Sequence, residues 1–368
     1  KLIYEWMVPV KGIENSRIAD LESVLKIIKK NLYILEQKLN FTFKETVLIL
    51  NNFNYSFLNV SGFKKLNGSQ ILKENITYIL NSLKSNINKT ENNKKILHIF
   101  NSKYYLDKKE IENLPIGLFG NFYSHELSVS LINDNDYKNL NNIFNKCNLN
   151  IKKFFLKSFT EGTYLSSENS NLDTFYFIKL NEKNSQIFYF ENNALKFEQS
   201  FNFGSDLILS DICKITSLKK DTIKIILKES NLNQNITSDE LVEKKFFEND
   251  YYKKIKKKLI LEIAIARIRE LSQILLNKNI NFSSFKKKDS LIFFKLRDMS
   301  NFQCLKDKYS LIFSNNNYFK IRFIDKISTE DLIKNTNQLV EFGWKKEAIP
   351  ISHTKKSVIA RFFDLMFE

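Results

Sequence analysis

The spacing of hydrophobic and polar positions predicts helices and strands that alternate along most of the chain. Apolar residues recur at helical spacing from Leu21 to Leu39, and Asp20 is placed to cap this helix. Further helices are predicted at 71–87, 205–216, 221–229, 252–277 and 329–342, and strands at 46–50, 95–105, 122–132, 174–180, 186–190, 194–201, 290–294 and 319–324. A strand, a helix and a strand also recur between 126 and 159. Such mixing predicts an α/β protein built from repeated halves.

The length and apolar content of the chain fit two lobes. A chain of 368 residues is too long for one small core, and its 43% hydrophobic and 14% aromatic content is ample for burial. The sequence contains no run of about 18 uncharged apolar residues, so we expect no spanning helix. It opens KLIYEWMVPV, without an initiator methionine or the zones of a signal peptide, which predicts a fragment of a cytoplasmic protein.

The formal net charge of +16 would suit nucleic acid, an acidic membrane or an acidic partner. Lysine supplies nearly all of the positive charge. Arginine, whose planar fork reads phosphates and guanine edges, is scarce. It occurs only at Arg17, Arg267, Arg269, Arg297, Arg322 and Arg361. We therefore expect no nucleic-acid partner and regard anionic lipid as the surface that this charge favours.

Cysteine and histidine are few and scattered. Neither type shows the spacing of a disulfide framework or a zinc site, so we expect ordinary surface or packing roles and a reducing compartment. The residues concerned are Cys147, Cys213, Cys304, His98, His125 and His353.

Several segments, read in order, resemble the FtsA family of actin-like bacterial cell-division proteins. They are VPVKGIENSRIADLESVLKIIKKNLYILE, KKILHIFNSKYYLD, IGLFG, HELSVSLI, NLNNIFNKCNLNIKKFFLKSF, SFNFGSDLILSDICKI and LEIAIARIREL. Single segments are weak signals, whereas their shared order over nearly the whole chain is specific. The resemblance implies an α/β, actin/Hsp70-like (ribonuclease H-like) two-lobed fold with an FtsA-type inserted subdomain and a C-terminal amphipathic helix.

The resemblance also implies a division of the chain into subdomains. The first lobe would take 1–46, 126–170 and a returning helix at 329–344, with the inserted subdomain at 47–125. The second lobe would have its base at 171–216 and 286–328, its upper subdomain at 217–285, and a linker at 345–356 would lead to an amphipathic helix at 357–368.

Actin-like proteins hold ATP and Mg²⁺ between two glycine-rich hairpins, because glycine lets backbone N–H groups approach phosphates closely. The first hairpin would lie before residue 1. The second falls on a degenerate segment without glycine, whose positions are Lys179, Asn181, Glu182, Lys183 and Asn184. A later glycine turn, at 295–297, is lost as well, while Gly204 and Asp211 are either retained family positions or ordinary turn and surface residues. Since no substitute catalytic arrangement is present, we expect a protein that is not an enzyme.

The last segment, SVIARFFDLMFE, is amphipathic as a helix. Arg361, Asp364 and Glu368 share a narrow arc, and Lys355 and Lys356 precede the helix. Its apolar residues are Val358, Ile359, Phe362, Phe363, Leu365, Met366 and Phe367. From the residues alone it either packs on its own protein or inserts into a membrane surface. With the resemblance, we predict a peripheral anchor on the cytoplasmic face of the inner membrane at the division site.

The resemblance places the partner surface in the upper subdomain, 217–285. There the family binds the C-terminal peptide of the tubulin-like division protein FtsZ. Arg267 and Arg269 are the predicted contact residues, with Lys253, Lys254, Lys256 and Lys257 beside them. The alternative for these charges is a solvated helix face.

The implied partners are FtsZ, further copies of this chain in an actin-like polymer, the membrane and other divisome proteins. Three other readings remain open from the sequence. They are the actin-like platform of a pilus-assembly system, a basic nucleic-acid-binding protein, and an ATP-using enzyme of the same superfamily.

Overall fold

The computed structural model describes residues 2–14, 16–51, 53–169, 172–229, 232, 239–248, 250–297, 303–314, 318–324 and 327–348. The chain divides into two compact units. Unit 1 runs to Thr160 and resumes at Lys334, and unit 2 is Glu161–Ile333. The corresponding boundaries predicted from the sequence are 170/171 and 328/329. They differ from the observed boundaries by ten and five residues.

The elements of unit 1 follow the predicted alternation of strand and helix. In chain order they are β1 (Ile13–Glu14), β2 (Arg17–Ile18), α1 (Leu21–Leu39), β3 (Glu45–Leu50), β4 (Tyr55–Lys65), α2 (Lys73–Thr90), β5 (Lys94–Leu106), β6 (Lys109–Ile111), β7 (Phe122–Asn133), α3 (Asp134–Asn145) and β8 (Asn150–Leu156). The Asp20 carboxylate caps α1 by accepting a hydrogen bond from the backbone N–H of Ser23 at 3.1 Å, and Asn40 in the left-handed region ends the helix.

A four-stranded antiparallel sheet forms the larger part of unit 1, in the order β4-β7-β5-β6. Its odd-numbered β7 residues, Leu127, Val129 and Leu131, pack with α2 in one apolar core. Gly62 in β4 permits this packing, because a Cβ there would lie 2.5 Å from the Ile79 side chain. These elements occupy 55–133, compared with 47–125 for the predicted inserted subdomain. Separately, β3 and β8 pair in parallel.

The first boundary between the units falls inside the helix α4 (Lys157–Glu168). Its residues up to Thr160 belong to unit 1, and those from Glu161 belong to unit 2. The remaining elements of unit 2 are β9 (Phe175–Leu180), β10 (Ser185–Glu191), β11 (Ala194–Phe201), α5 (Asp206–Thr216), α6 (Lys220–Glu229), a 3-10 turn (Lys244–Phe247), α7 (Lys257–Ser272), a π-helical turn (Gln273–Asn277), α8 (Ile280–Ser283), β12 (Ser290–Leu296), α9 (Gln303–Phe313) and β13 (Phe319–Phe323). The last helix, α10 (Thr329–Phe342), begins in unit 2 and continues into unit 1 from Lys334.

The sheet of unit 2 has the order β11-β10-β9-β12-β13. Strands β9, β10 and β11 form an antiparallel meander, and β12 and β13 then run parallel to β9. This order, with helices in the crossovers, is the ribonuclease H-like topology, so the predicted actin-like α/β fold class is confirmed. The C-terminal helix of that prediction lies outside the described residues. One face of the sheet carries Tyr176, Ile178 and Phe294 into a core that α5, α6, α7 and α9 complete.

Candidate functional site

The β9–β10 hairpin stands where the sequence analysis placed the second phosphate loop. Its turn is closed on itself. Asn181 donates its backbone N–H to the Asn184 carbonyl at 2.9 Å, and the Asn181 side-chain amide donates to the Asn184 side chain at 2.6 Å. Glu182 is half-buried, and Lys183 is exposed at the tip of the turn.

The start of α5 is bound to this hairpin. Ser205 and Asp206 donate their backbone N–H groups to the carbonyls of Asn181 and Glu182, at 3.0 Å and 2.9 Å. Gly204 makes the contact possible, since a Cβ there would lie 2.2 Å from the Asn181 oxygen. The N–H groups at a helix start are the usual donors to a bound anion. Here the hairpin carbonyls already accept from two of them.

Lys179 does not project a free charge toward this hairpin. It is buried at 8% exposure and forms an ion pair with Glu161, which also accepts from Lys295 Nζ at 3.2 Å. Lys179 and Lys295 are register partners on the parallel strands β9 and β12, so one buried carboxylate serves both ammonium groups.

The family's cofactor, ATP with Mg²⁺, does not fit the residues of this hairpin. The α5 donors are engaged, the Lys179 charge is neutralised inside unit 2, and the Glu182 carboxylate would repel a phosphate. The described residues also contain no group of three His, Cys, Asp or Glu placed to hold a metal ion.

Asp211, the other position considered for the nucleotide, lies on α5 and binds a side chain of α7 instead. Arg267 donates from Nε to Asp211 at 2.5 Å and from a terminal nitrogen to Glu270 at 2.6 Å. The hydrogen bond to Asp211 raises the pKa of the Arg267 guanidinium above its usual value. Arg269 is exposed on α7 and does not accompany Arg267, since residues two apart point to different sides of a helix.

Two open cavities lie side by side along α5 and α7. The first has a volume of about 510 Å³ and the second about 580 Å³, and Ile215 and Glu262 line both. We call this pair of cavities the α5–α7 groove. Its other lining residues are Asp211, Lys214, Ile263, Ala266, Arg267 and Glu270 in the first cavity, and Thr216, Lys253, Lys254, Ile255, Lys256, Lys258 and Leu259 in the second.

The groove is charged unevenly along its length. Carboxylates cluster around Arg267 at one end, whereas lysines cluster at the other. Some of these lysines have structural roles, because Lys253 donates to the Ser217 carbonyl at 2.9 Å and Lys256 pairs with Asp239 at 2.9 Å. Lys254 and Lys258 are exposed, and no ion pair is recorded for either with any described residue. They are therefore available to an acidic ligand.

Apolar residues in the groove were not singled out from the sequence. Ile215 is 59% exposed and Leu259 is 39% exposed, although both belong to regular helices. The signal for Ile215 is its position four residues after Asp211, which places an isoleucine on the polar side of α5. No comparable signal marks Leu259, which sits inside a strongly basic run.

The predicted membrane segment lies outside the described residues. This holds for the lysines at its entrance and for every apolar position proposed to insert. They are Lys355, Lys356, Val358, Ile359, Phe362, Phe363, Leu365, Met366 and Phe367. In the part of the chain that is described, no helix is long and apolar enough to cross a membrane.

Comparison with known proteins supports the resemblance. No protein-family model matches the chain. Curated proteins named "Cell division protein FtsA" do. The one from Escherichia coli (strain K12) is 19% identical over 204 residues, covering 55% of this chain and 48% of that protein. The one from Buchnera aphidicola subsp. Baizongia pistaciae (strain Bp) is 23% identical over 234 residues, covering 62% and 55%. The chain therefore spans about half the length of the curated relatives it matches.

Solved structures with similar folds include several actin-like proteins. The PilM-PilN type IV pilus biogenesis complex matches with a TM-score of 0.49 and 8% identity, over 90% of this chain and 86% of that one. MreB 5 of Spiroplasma citri bound to AMPPNP matches with a TM-score of 0.36 and 10% identity, over 56% and 65%. The sequence relatives confirm the resemblance to FtsA.

Proposed function

We propose that this chain, a divergent relative of FtsA, is a cell-division scaffold and not an enzyme. It would bind the C-terminal peptide of FtsZ in the α5–α7 groove, associate with further copies of itself and other divisome proteins, and attach to the cytoplasmic face of the inner membrane through 357–368. The observation that carries the proposal is the groove, which combines exposed lysines with exposed apolar side chains in the unit where the family binds FtsZ.

The chemistry of the groove suits a short peptide that is acidic and partly apolar. Ile215 and Leu259 offer apolar contact, and burying each fully would be worth at most about 1.5 to 3 kcal/mol. Lys254 and Lys258 stand beside them, where peptide carboxylates would gain charge-assisted contacts. Exposed ion pairs of this kind contribute only about 0.2 to 1 kcal/mol each, so the lysines would orient the peptide more than hold it.

The proposed role of Arg267 differs from that of the lysines. Its guanidinium is already shared by Asp211 and Glu270, so a peptide carboxylate would have to compete with two resident ones. We propose that Arg267 shapes the acidic end of the groove, with the lysine end receiving the acidic part of the peptide.

The test is binding of a labelled FtsZ C-terminal peptide, followed by fluorescence anisotropy. Reversing both lysines, Lys254→Glu with Lys258→Glu, should raise Kd about tenfold or more, equivalent to about 1.4 kcal/mol. Lys288→Glu with Lys320→Glu is the matched control, because it also reverses two charges, at exposed positions outside the groove. An unchanged Kd in Lys254→Glu with Lys258→Glu would remove the groove from the interface.

Arg267→Glu belongs in the same series. We expect a loss of about 1 to 3 kcal/mol of peptide binding if this residue meets the peptide in a partly desolvated pair. The pairing with Asp211 means that the variant also leaves carboxylates without their cation, so Asp211→Asn with Arg267→Glu is needed beside it. If peptide binding weakens in Arg267→Glu but not in the paired variant, the effect comes from the resident carboxylates that lose their cation and not from a lost contact with the peptide.

Attachment through one amphipathic helix would be reversible, since its seven apolar side chains are only partly buried at an interface. Many copies on one polymer would multiply such weak contacts through effective concentration. Binding to anionic vesicles also separates this proposal from the pilus-platform alternative, which is not expected to carry a terminal lipid helix. Steeply salt-dependent binding of DNA would favour the nucleic-acid alternative.

A further inference from the structure

The last described residues of the chain, 344–348, are paired with the sheet of unit 1. We call them the root, because the predicted linker and membrane segment continue from them. Asn101 donates its backbone N–H to the Lys346 carbonyl at 2.7 Å, and Ala348 donates its own to the Ile99 carbonyl at 2.7 Å. These bonds form an antiparallel bridge between β5 and the root, centred on Phe100 and Glu347.

The side chain of Glu347 points inward and carries a charge into the fold. It is 8% exposed, its Oε1 lies 3.0 Å from His98 Nδ1, and its Oε2 accepts from Lys153 Nζ at 2.8 Å. Burial would raise the pKa of this carboxyl, but the hydrogen bond from His98 and the charge of Lys153 hold the pKa below its usual value. Glu347 is therefore ionised in the folded chain at neutral pH.

His98 presents only one ring nitrogen to a polar partner. Its ring lies among Phe100, Phe155 and Phe159, with centroid distances of 5.6, 5.7 and 4.9 Å. No hydrogen-bond partner reaches its Nε2 from any described residue, whereas Nδ1 faces Glu347. The arrangement favours the tautomer with its proton on Nδ1, which donates to the carboxylate. Glu347 in the root thus accepts hydrogen bonds from His98 on β5 and from Lys153 on β8.

Such a cluster is poorly explained as a means of adding stability. A buried ion pair costs desolvation, and an apolar pair of similar volume often serves as well. Its better-attested use is to fix one arrangement among alternatives. Two backbone hydrogen bonds at the edge of a sheet would fray without a side chain to hold them. Glu347 supplies that side chain, and Trp344 packs edge-on against Phe159 at 6.3 Å, beside the ring of His98.

We propose that Glu347, held by His98 and Lys153, is a latch that fixes where and in which direction the C-terminal segment leaves unit 1. The function of that segment as a membrane anchor rests on the proposed function, whereas the latch does not. With the latch closed, residues 349–356 span at most about 30 Å before the anchor begins. With it open, the chain after α10, residues 343–356, could span at most about 50 Å. The latch therefore sets the working distance between unit 1 and whatever the segment binds.

The test is hydrogen exchange of the full chain without lipid, followed by mass spectrometry. In the parent, amides at 97–103 and 344–348 should be protected. Glu347→Ala should speed their exchange at least tenfold and leave peptides inside β7 unchanged. Glu341→Ala, an exposed position on α10, is the matched control and should change neither.

Three results would overturn the latch. They are an unprotected root in the parent, unchanged protection in Glu347→Ala, and a loss of protection spread equally over the whole sheet, which would make Glu347 an ordinary core residue. Lys153→Met should open the root as well, since it removes one of the two donors.

Sedimentation with phosphatidylglycerol vesicles keeps the two proposals separate. Glu347→Ala should sediment like the parent, because the anchor itself is intact. Loss of sedimentation in this variant alone would overturn the inference that the latch sets distance only. Failure of the parent to sediment would count against the anchor and would leave the exchange result standing.

Discussion

Arg267 and Asp211 join α7 to α5 through a 2.5 Å hydrogen bond, although 56 residues separate them in the chain. The pair forms one end of the α5–α7 groove. Both side chains are only partly exposed, at 24% and 20%, so solvent weakens the interaction without removing it.

The Arg267–Asp211 pair should be measurable in a double-mutant cycle. We expect Arg267→Met and Asp211→Asn each to destabilise the chain, and the two together to cost about 1 kcal/mol less than their sum. Urea denaturation of the four proteins gives the coupling. Simple additivity would mean that solvent screens the pair completely.

Removing the charge of Glu161 should destabilise the chain more than removing that of a half-exposed carboxylate. Glu161→Gln leaves Lys179 and Lys295 without the anion they share, and removing one partner of a buried ion pair typically costs about 3 to 5 kcal/mol. Thermal melting would show this as a large fall in Tm. Glu182→Gln is the control, since that side chain is half exposed and pairs only loosely with Lys220, at 3.8 Å. Equal effects of the two changes would contradict the buried-cluster account.

Mg-ATP should bind weakly or not at all. The β9–β10 hairpin has no glycine, and two N–H groups at the start of α5 already donate to its carbonyls. Isothermal titration calorimetry on the full-length protein, with any preceding residues included, is the measurement. A dissociation constant in the micromolar range or tighter would contradict the prediction.

Acid should destabilise unit 1 through His125. This ring is fully buried, and no described residue offers either nitrogen a hydrogen-bond partner, so burial lowers its pKa to about 4. An unfolded histidine titrates near 6.5, and the unfolded chain therefore binds more protons between these values. Stability is unaffected above about pH 6.5 and falls as the pH drops toward 4, by about 3 kcal/mol in all.

The matched variant for this prediction is His125→Leu, which keeps an apolar side chain of related size. Denaturation from pH 7 to pH 4 should be less steep in the variant than in the parent. Equal slopes would show that His125 is not the group that takes up the proton.

The predicted anchor should fail when charge is placed on its apolar side. Phe362→Asp with Phe363→Asp puts two carboxylates into the acyl boundary, at a cost of several kcal/mol, and should abolish sedimentation with anionic liposomes. Changes on the polar arc, Asp364→Ser with Glu368→Ser, should leave sedimentation intact. Melting temperature should be the same in all three proteins.

Two outcomes separate the alternatives for this segment. Continued sedimentation of the double aspartate variant would place the anchor elsewhere. Loss of lipid binding together with a large fall in melting temperature would mean that the segment packs on its own protein.

Periodic apolar patterns predicted most elements of both units to within a few residues, α1 and the β9–β11 meander among them. The exceptions have physical causes. β4 was missed because Phe63 lies on its exposed face and Gly62 and Lys64 on its inner face, which breaks the apolar–polar alternation. α4 was missed because it buries Thr160, Glu161 and Thr163 in place of an apolar stripe. α7 begins at Lys257, five residues later than predicted, because Lys253 instead caps the end of α5.

The candidate site was less predictable than the fold. The loss of glycines at 179–186 is legible in the sequence, but the use of Asn181 and Glu182 carbonyls to satisfy α5 depends on tertiary contact. The same holds for Arg267, whose partner on α5 is remote in sequence. The assignments of Arg269 and of the membrane segment remain predictions.

The closed β9–β10 hairpin has a consequence for any filament that this chain forms. In an actin-like filament whose subunits hydrolyse a bound nucleotide, the state of that nucleotide changes with time after each subunit joins, and older regions come apart first. If this chain is not an enzyme, as proposed, its subunits would not change with time in this way. We therefore expect filament length to follow total concentration and the number of bound partners at equilibrium, with no difference between old and new ends.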